Sequence, residues 1–232
     1  MKRAIILCSG GLDSVTVAHY AKKGLEYEDI IILFFSYGQR NLLGEKRCAK
    51  ICAHNLSAKF YNIQLNHLKT LSTSLLNTNK KSKDIFRNNL KDTKKESEKW
   101  YVPCRNILFL NYAASLAESL FILKKDKYDL FVGFKNEGKE FYPDTTKKFV
   151  NEMNKLLKLS TISKPKIFAP FIRKDKEDIV LSGERIDVDF KDTFSCYTSF
   201  GKEHCGKCLA CMLRKEGFYW ANKKDPTLYA LN

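Results

Sequence analysis

The sequence predicts an α/β fold: a doubly wound, parallel five-stranded sheet followed by a small C-terminal module built on four cysteines. Two observations lead to this prediction. Five apolar runs of strand length alternate with segments of helical spacing over residues 1–190, the order typical of a parallel sheet with helices on both faces. Residues 191–232 lack this alternation and contain a tight cysteine cluster. We therefore expect one α/β domain with a C-terminal segment packed on it.

The first strand and the turn after it are the most informative stretch. Residues 4–8 form an apolar run that suits a buried strand, and a helical pattern runs from about residue 15 to Gly24. Between them, residues 9–14 read Ser-Gly-Gly-Leu-Asp-Ser, with neither the GxxxxGK[ST] nor the GxGxxG pattern. Two glycines let the backbone approach a ligand, and N–H groups at a helix start attract phosphate. Asp13 cannot bind phosphate directly, so we expect it to hold magnesium or cap the helix.

The later elements follow in order. Strands are predicted at residues 30–35, 58–63, 128–133 and 166–172, the last interrupted by Pro170 near its end, and helices at 42–56, 107–123, around 149–157 and from Lys176 onward. The helix at 107–123 is almost wholly apolar, so we expect it to be buried in the middle of the molecule, with Asn106 as its N-cap.

Two further segments should face the same crevice as the turn at 9–14. In open parallel sheets, ligands bind beyond the carboxyl ends of the strands. Tyr37-Gly38-Gln39-Arg40 follows the second strand. Arg105 lies between Pro103 and the apolar helix, where its planar guanidinium can grip a carboxylate or a phosphate.

Residues 66–100 interrupt the alternation. They are rich in Lys, Asn, Ser and Thr and have few large apolar residues. A stretch of this length without a clear period is either a mobile lid or a disordered insertion. A lid would keep water from a reactive intermediate, and an insertion without function is the open alternative.

Composition narrows the class of protein. Lys and Arg number 41 and Asp and Glu 26, a net charge of +15, but the lysines are scattered and no basic stripe with aromatic residues is present. The sequence therefore favours small anionic substrates over direct nucleic-acid binding, and it is compatible with a homodimer. No apolar run approaches the roughly 18 residues of a membrane span, and no signal peptide is visible, so we expect a cytoplasmic protein. There, eight cysteines favour metal binding or free thiols over disulfides.

The cysteine cluster predicts a metal site. Cys196, Cys205, Cys208 and Cys211 have the spacing C-x8-C-x2-C-x2-C. Four thiolates complete the tetrahedral coordination of a structural zinc ion. An iron–sulfur cluster is the alternative, but nothing else in the chain suggests electron transfer. His204 could replace one thiolate, although four cysteines make that unnecessary.

Several separated motifs occur in order along nearly the whole chain: SGGLDS at 9–14, YGQR at 37–40, VPCRN at 102–106, YPD at 142–144, Pro170-Phe171 followed by Lys176, SCY at 195–197 with the cysteine cluster, and a tail from Leu213 to Asp225-Pro226-Thr227. Together they resemble the QueC family of the queuosine and archaeosine pathways, the 7-cyano-7-deazaguanine synthases. SGGLDS alone resembles the pyrophosphate loop of the N-type ATP pyrophosphatase superfamily, which implies an adenine nucleotide alpha hydrolase-like fold for residues 1–190.

The resemblance implies an ATP-dependent ligase that forms C–N bonds. It would convert 7-carboxy-7-deazaguanine and ammonia to 7-cyano-7-deazaguanine through an adenylated intermediate, with ATP, Mg²⁺ and Zn²⁺. The catalytic residues would be Asp13, Arg105 and Lys176. ATP would contact Leu7, Cys8, Ser9, Gly10, Gly11, Leu12, Asp13, Ser14, Val15, Thr16 and Val17. The deazaguanine would contact Tyr37, Gln39, Arg40, Arg105, Asn106, Tyr142 and Asp144.

Three departures from the family pattern keep other acceptors open. Cys104 stands where the family usually has glycine, the loop at 134–145 differs from the family's run, and the insert at 66–100 is unusually rich in lysine. One alternative is a QueC-like enzyme that attaches a deazaguanine to a protein in a defence system. A second is another adenylating enzyme of the superfamily that modifies tRNA directly. The third, from a different class, is a zinc-ribbon nucleic-acid binder with a degenerate ATP loop.

Overall fold

Five parallel strands form one sheet in the order β3-β2-β1-β4-β5. A computed structural model describes residues 1–78, 80, 82–135, 142–199, 201 and 203–230. The strands are β1 Arg3–Leu7, β2 Asp29–Ser36, β3 Lys59–Gln64, β4 Asp129–Val132 and β5 Ile167–Phe168. The chain leaves β1 towards β2 on one side and later returns to β4 on the other. The predicted doubly wound α/β fold is confirmed, and its topological switch point lies between β1 and β4.

Helices cover both faces of the sheet. They are α1 Leu12–His19, which continues as a π-helical turn Tyr20–Gly24, α2 Leu42–Asn55, α3 Leu68–Leu71, α4 Lys94–Glu98, α5 Arg105–Lys124, α6 Lys147–Ser160, α7 Lys176–Arg185 and α8 Leu209–Trp220. Short 3₁₀ turns lie at Leu75–Asn77, Arg87–Lys91, Pro143–Thr145 and Phe190–Asp192. The helices α1, α2, α7 and α8 pack on one face, and α5, α6 and the segment 66–100 pack on the other.

The central strands show why a nearly continuous apolar run was needed. In β1, Ile5 joins the α5 side of the core, whereas Ala4 and Ile6 join the α1 side, and all three are fully buried. A parallel strand between two helical layers is buried on both faces. Each fully buried isoleucine contributes about 1.5–3 kcal/mol relative to exposure.

The fifth strand is shorter than predicted. Only Ile167 and Phe168 pair with β4, not the whole of 166–172. Pro170 has no N–H for the ladder. The chain turns there instead, and the backbone N–H of Ile172 donates to the carbonyl of Ala169 at 3.2 Å.

The prediction that the apolar helix lies buried in the middle of the molecule is wrong. Helix α5 packs on β1 and β4 through one face only. Its other face leaves Tyr112 41%, Ile122 57% and Leu123 77% exposed. Its length and composition would also suit a membrane span, contrary to the expectation that no apolar run approaches that length. Its buried face against the sheet is that of a core helix.

The start of α5 also differs from expectation. The helix begins at Arg105, directly after Cys104, whose φ of 58° is in the left-handed region. Asn106 is therefore inside the first turn and does not cap it. The cap comes from a distant residue, because the Asp144 carboxylate accepts the backbone N–H of Asn106 at 3.4 Å.

The segment 66–100 is folded where the structure describes it. Leu68, Leu76 and Trp100 are buried in the α5-side core. The segment also contacts the C-terminal part of the chain, because the N–H of Ile85 donates to the carbonyl of Lys207 at 2.8 Å. It forms a cover beside the carboxyl ends of the strands.

Candidate active site

A cavity of about 300 Å³ opens at the carboxyl ends of β1, β2 and β4, at the switch point of the sheet. The start of α5, the first residue of α7, the cover segment and the C-terminal segment complete its walls. Of the residues singled out in the sequence, those lining it are Leu7, Cys8, Ser9, Gly11, Leu12, Asp13, Ser14, Tyr37, Gln39, Arg105, Asn106, Tyr142 and Lys176. Their convergence makes this cavity the candidate active site.

The turn at 9–14 is held against its neighbours through glycines. Gly10 has φ +78°, and a Cβ atom there would lie 2.3 Å from the carbonyl oxygen of Glu45. At the end of β4, a Cβ atom on Gly133 would lie 2.9 Å from the backbone nitrogen of Ser14. The first N–H groups of a helix have no partner inside it. Among the described residues no side chain caps the start of α1, so these groups remain available at the cavity. This geometry suits an anionic group such as phosphate.

Asp13 and Lys176 form an ion pair across the cavity wall. The Lys176 ammonium donates to both carboxylate oxygens of Asp13, at 2.8 and 2.7 Å. The side chain of Lys176 is 17% exposed and that of Asp13 is 28% exposed, so water screens the pair only partly. Lys176 is the first residue of α7, and its stem crosses α8 at Gly217, where a Cβ atom would lie 2.2 Å from Lys176 Cγ.

Gly217→Ala is therefore expected to lower activity without unfolding the protein. Alanine inside a helix normally stabilises by up to about 1 kcal/mol relative to glycine, but here the methyl group must push Lys176 away from Asp13. Steady-state activity together with thermal melting checks the prediction. Gly201→Ala, where the new methyl group meets only Ser199 Oγ at an ordinary contact distance of 4.0 Å, is the matched control. An active Gly217→Ala enzyme would show that Lys176 need not stay paired with Asp13.

Arg105 is held on a rigid support at the other side of the cavity. Its guanidinium donates to the Tyr37 hydroxyl at 3.1 Å and lies 5.6 Å from the Tyr37 ring centroid and 6.0 Å from that of Phe109. Burial raises the pKa of Tyr37 to about 12, so the hydroxyl stays neutral. Within the described ranges the guanidinium makes no other hydrogen bond, so its remaining donors can bind a carboxylate or a phosphate in the cavity.

Arg105→Lys is expected to cut activity about tenfold or more, which corresponds to about 1.4 kcal/mol of lost transition-state stabilisation. Lysine keeps the charge but loses the planar fork and its stacking on the rings. The melting temperature should change little, and kcat/KM measured for each substrate shows which one Arg105 binds. An unfolded Arg105→Lys protein would instead make Arg105 a structural tie.

The four cysteines converge as the spacing predicted. Their sulfur atoms all lie within 4.8 Å of one another, with Cys196 and Cys208 at 4.0 Å and Cys205 and Cys211 at 3.9 Å. A tetrahedral ion with bonds of about 2.3 Å needs sulfur separations of about 3.8 Å, so the donor set fits such a metal. The backbone N–H groups of Tyr197, Ser199, Cys205 and Cys208 point at these sulfurs at 3.2–3.4 Å, which favours thiolates.

His204 does not belong to the metal site. Its Nε2 accepts the backbone N–H of Ser195 at 2.9 Å, and its ring packs against Phe194 with a centroid separation of 4.7 Å. Burial lowers the pKa of His204 to about 4, so the ring is neutral. The histidine thus holds the segment that follows Phe194 in place.

The cysteine module forms one wall of the cavity. Phe194, Ser195 and Tyr197 line it. The N–H of Phe194 donates to the carbonyl of Gly10 at 2.8 Å, and the Asn41 amide donates to the carbonyl of Cys196 at 2.9 Å. A metal in the module would therefore position part of the site.

Arg214 ties the module to the rest of the C-terminal segment. Its side chain is 1% exposed and donates from Nε to both carboxylate oxygens of Asp225 at 3.2 Å, with a further bond to Thr193 at 2.7 Å. Removing one partner of such a buried, satisfied pair costs about 3–5 kcal/mol.

A family model described as "Queuosine biosynthesis protein QueC" matches residues 3–222. The chain belongs to the QueC family. Curated relatives named 7-cyano-7-deazaguanine synthase cover nearly its full length. The protein from Methanococcus vannielii is 34% identical over 99% of both chains. That from Clostridium kluyveri is 35% identical over 99% of this chain and 98% of the relative, and that from Methanocaldococcus jannaschii 36% identical over 98% and 99%. A solved NMN synthetase from Francisella tularensis overlaps 95% of this chain and 84% of its own, with a TM-score of 0.38 and 13% identity, too little to bear on the site.

Six of the residues predicted to contact ATP or the deazaguanine lie outside the cavity lining: Gly10, Val15, Thr16, Val17, Arg40 and Asp144. The three from α1 are buried in the core, because the helix turns away from the cavity after its first turn. Arg40 donates to the carbonyl of Lys80 in the cover segment at 3.0 Å. Gly10 supports the cavity wall by packing closely on the backbone of Glu45. Asp144 supports it by capping α5. Residues 136–141 of the variant loop lie outside the described residues.

Glu45 is the main residue that sequence reasoning missed. It lines the cavity from the first turn of α2. A signal was present, because Glu45 precedes Cys48 and Cys52 by three and seven residues and so lies on the same inward face of the helix. A charged residue on the inward face of a helix indicates a functional role, because charged side chains are rarely buried without one.

Proposed function

We propose that this chain is a 7-cyano-7-deazaguanine synthase, which converts 7-carboxy-7-deazaguanine, ammonia and ATP to the 7-cyano compound. The observation that carries the proposal is the placement of an anion-binding turn, the Asp13–Lys176 pair and Arg105 around one cavity, in a chain of the QueC family. We propose the same compartment and assembly as the sequence predicts, a cytoplasmic enzyme that can form a homodimer.

The chemistry needs activation because a carboxylate is a poor electrophile. Attack of the substrate carboxylate on the α-phosphate of ATP gives an acyl adenylate and releases pyrophosphate. Ammonia displaces AMP and yields the primary amide. A second activation of the amide oxygen, followed by loss of AMP, leaves the nitrile.

The residues of the cavity take complementary parts in this sequence. The free N–H groups at the start of α1, with Ser9 and Ser14, receive the phosphates. Lys176 and Arg105 stabilise the negative charge that develops around the α-phosphate. The cover segment contributes Leu76 and Ser97 to the cavity lining and helps to exclude water from the acyl adenylate.

Two metals complete the proposal. Asp13 would hold Mg²⁺, which usually binds one or two carboxylates together with substrate phosphates, and which would neutralise phosphate charge. Cys196, Cys205, Cys208 and Cys211 would hold Zn²⁺ as a closed structural site. Among the described residues, these four cysteines are the group of metal-ligand side chains that converge.

One experiment tests the function. Purified protein is incubated with ATP, Mg²⁺, an ammonium salt and 7-carboxy-7-deazaguanine, and AMP, pyrophosphate and the heterocycle are followed by chromatography and mass spectrometry. We expect free 7-cyano-7-deazaguanine, with AMP release that depends on the deazaguanine. AMP release without free nitrile, and a deazaguanine mass added to a protein, would favour the protein-modifying alternative. No AMP with any acceptor would contradict an ATP-dependent role.

A further inference from the structure

Glu45 is a carboxyl group in the cavity that the steps above leave without a role. Its side chain is half-buried and faces the same space as the turn at 9–14. Asn41 donates to one carboxylate oxygen at 2.9 Å and Gln39 to the other at 3.1 Å. Both donors are neutral amides. No ion pair to Glu45 occurs in the part of the chain that the structure describes, in contrast to Asp13 with its lysine partner.

The neighbours of Glu45 are arranged to hold it in place. Gln39 also accepts the backbone N–H of Tyr37 at 2.8 Å and donates to the carbonyl of Phe35 at 2.9 Å, so its amide is fully used. Gln39 lines the cavity as predicted for a substrate-binding residue, and these bonds also make it a positioning residue for Glu45. The backbone of Glu45 packs on Gly10, which brings the carboxylate close to the turn.

The charged and titratable groups around Glu45 come from three other elements of the fold. Arg105 from α5, Tyr37 after β2 and Cys8 at the end of β1 interact with it electrostatically. Tyr37 stays neutral, and Arg105 donates to Tyr37 rather than to Glu45. Burial raises the pKa of the Glu45 carboxyl to about 7, against the opposing effects of Gln39, Arg105 and Asn41. A carboxyl in this state can accept a proton or bind a small cation near neutral pH.

We propose that Glu45 binds the nitrogen substrate as ammonium and accepts the proton that must leave before the nitrogen can attack. This inference rests on the proposed function. In neutral water ammonia is mostly protonated, and ammonium has no lone pair for attack. Transfer of one proton to the Glu45 carboxylate leaves ammonia beside the acyl adenylate. The C–N bond then forms, the C–O bond to AMP breaks, AMP departs with that electron pair, and a second N–H proton passes to solvent. Glu45 returns its own proton to solvent before the next turnover.

Comparing two substrates isolates this role. The acid substrate needs ammonia, whereas the primary amide of the same deazaguanine needs only ATP to become the nitrile. For Glu45→Gln we expect kcat/KM for ammonia to fall at least about a hundredfold, the low end for general-base catalysis, with the amide reaction within about twofold of wild type. Hydroxylamine, which is already unprotonated at neutral pH, should form the hydroxamate at a near wild-type rate. Glu152→Gln, an exposed acid on α6, is the matched control.

Equal losses with both substrates would overturn the proposal, because Glu45 would then hold the heterocycle or the turn. Unchanged ammonia kinetics would also overturn it. If neither substrate gives nitrile with the wild-type enzyme, the proposed function fails, whatever Glu45 does.

The pH dependence supplies a test that needs no variant. With the wild-type enzyme, kcat/KM for total ammonia should rise up to about pH 7, where Glu45 becomes ionised, and then level off because ammonium is the species bound. In Glu45→Gln the same quantity should keep rising with pH as free ammonia becomes more abundant. The amide reaction should show no such rise of kcat/KM with pH, because it does not use ammonia. A wild-type profile that keeps rising well above pH 7 would contradict the proposal, even if Glu45→Gln does not fold.

Discussion

Asp13→Ala is expected to fold normally and to lose AMP formation by about a hundredfold or more, at least about 2.7 kcal/mol of transition-state stabilisation. Asp13 is the carboxylate of the turn at 9–14, and its two oxygens hold Lys176 at 2.7–2.8 Å. The substitution removes the expected Mg²⁺ ligand and also frees the lysine that should face the α-phosphate. Rapid-quench measurement of AMP, with either the acid or the amide as substrate, should show the loss in both reactions.

The control for Asp13 is another aspartate paired with lysine. Asp187 accepts from Lys23 at 3.3 Å, but its side chain is 88% exposed. Asp187→Ala should leave AMP formation unchanged, since exposed ion pairs contribute at most about 1 kcal/mol. Normal turnover by Asp13→Ala, confirmed by mass spectrometry of the protein, would remove Asp13 from the mechanism.

Cys208→Ser is expected to give a poorly soluble protein with less than one zinc per chain, whereas the wild type should carry one. Structural zinc contributes on the order of 10–16 kcal/mol in small metal-dependent domains, which is comparable to the whole stability of a typical protein, about 5–15 kcal/mol. Without the metal, the buried Cys196, Cys208 and Cys211 lose their closed site, and Phe194, Ser195 and Tyr197 lose their place in the cavity wall. Elemental analysis and a soluble-fraction assay measure both effects.

Cys104→Ser is the control for the cysteine substitution, because Cys104 is exposed and lies outside the cluster. It should keep its metal and its solubility. A zinc-free wild-type protein, or an absorption band of an iron–sulfur cluster, would contradict zinc as the metal. A soluble Cys208→Ser protein with an intact active site would show that the module folds without the Cys208 thiolate.

Much of the fold could be predicted because its signals are local. The alternation of apolar runs and helical periods depends on neighbours within a few residues. The turn at 9–14 and the cysteine spacing are equally local, since they concern backbone freedom and ligand chemistry. One error came where a distant residue decides the outcome, because Asp144 supplies the cap of α5 instead of Asn106. The early end of the fifth strand has a local cause, since Pro170 cannot donate to the ladder and the chain turns there.

The sequence by itself determined the class of sheet, the glycine turn after the first strand, the cluster of four cysteines and the family to which the chain is similar. The tertiary structure decided which side chains meet. Asp13 and Lys176 are separated by 163 residues, and Tyr37 and Arg105 by 68. They meet because the strand order places β4 beside β1 and brings the carboxyl ends of the strands to one edge. Only that arrangement shows Glu45 in the cavity, because a sequence gives the inward face of a helix but not what lies opposite it.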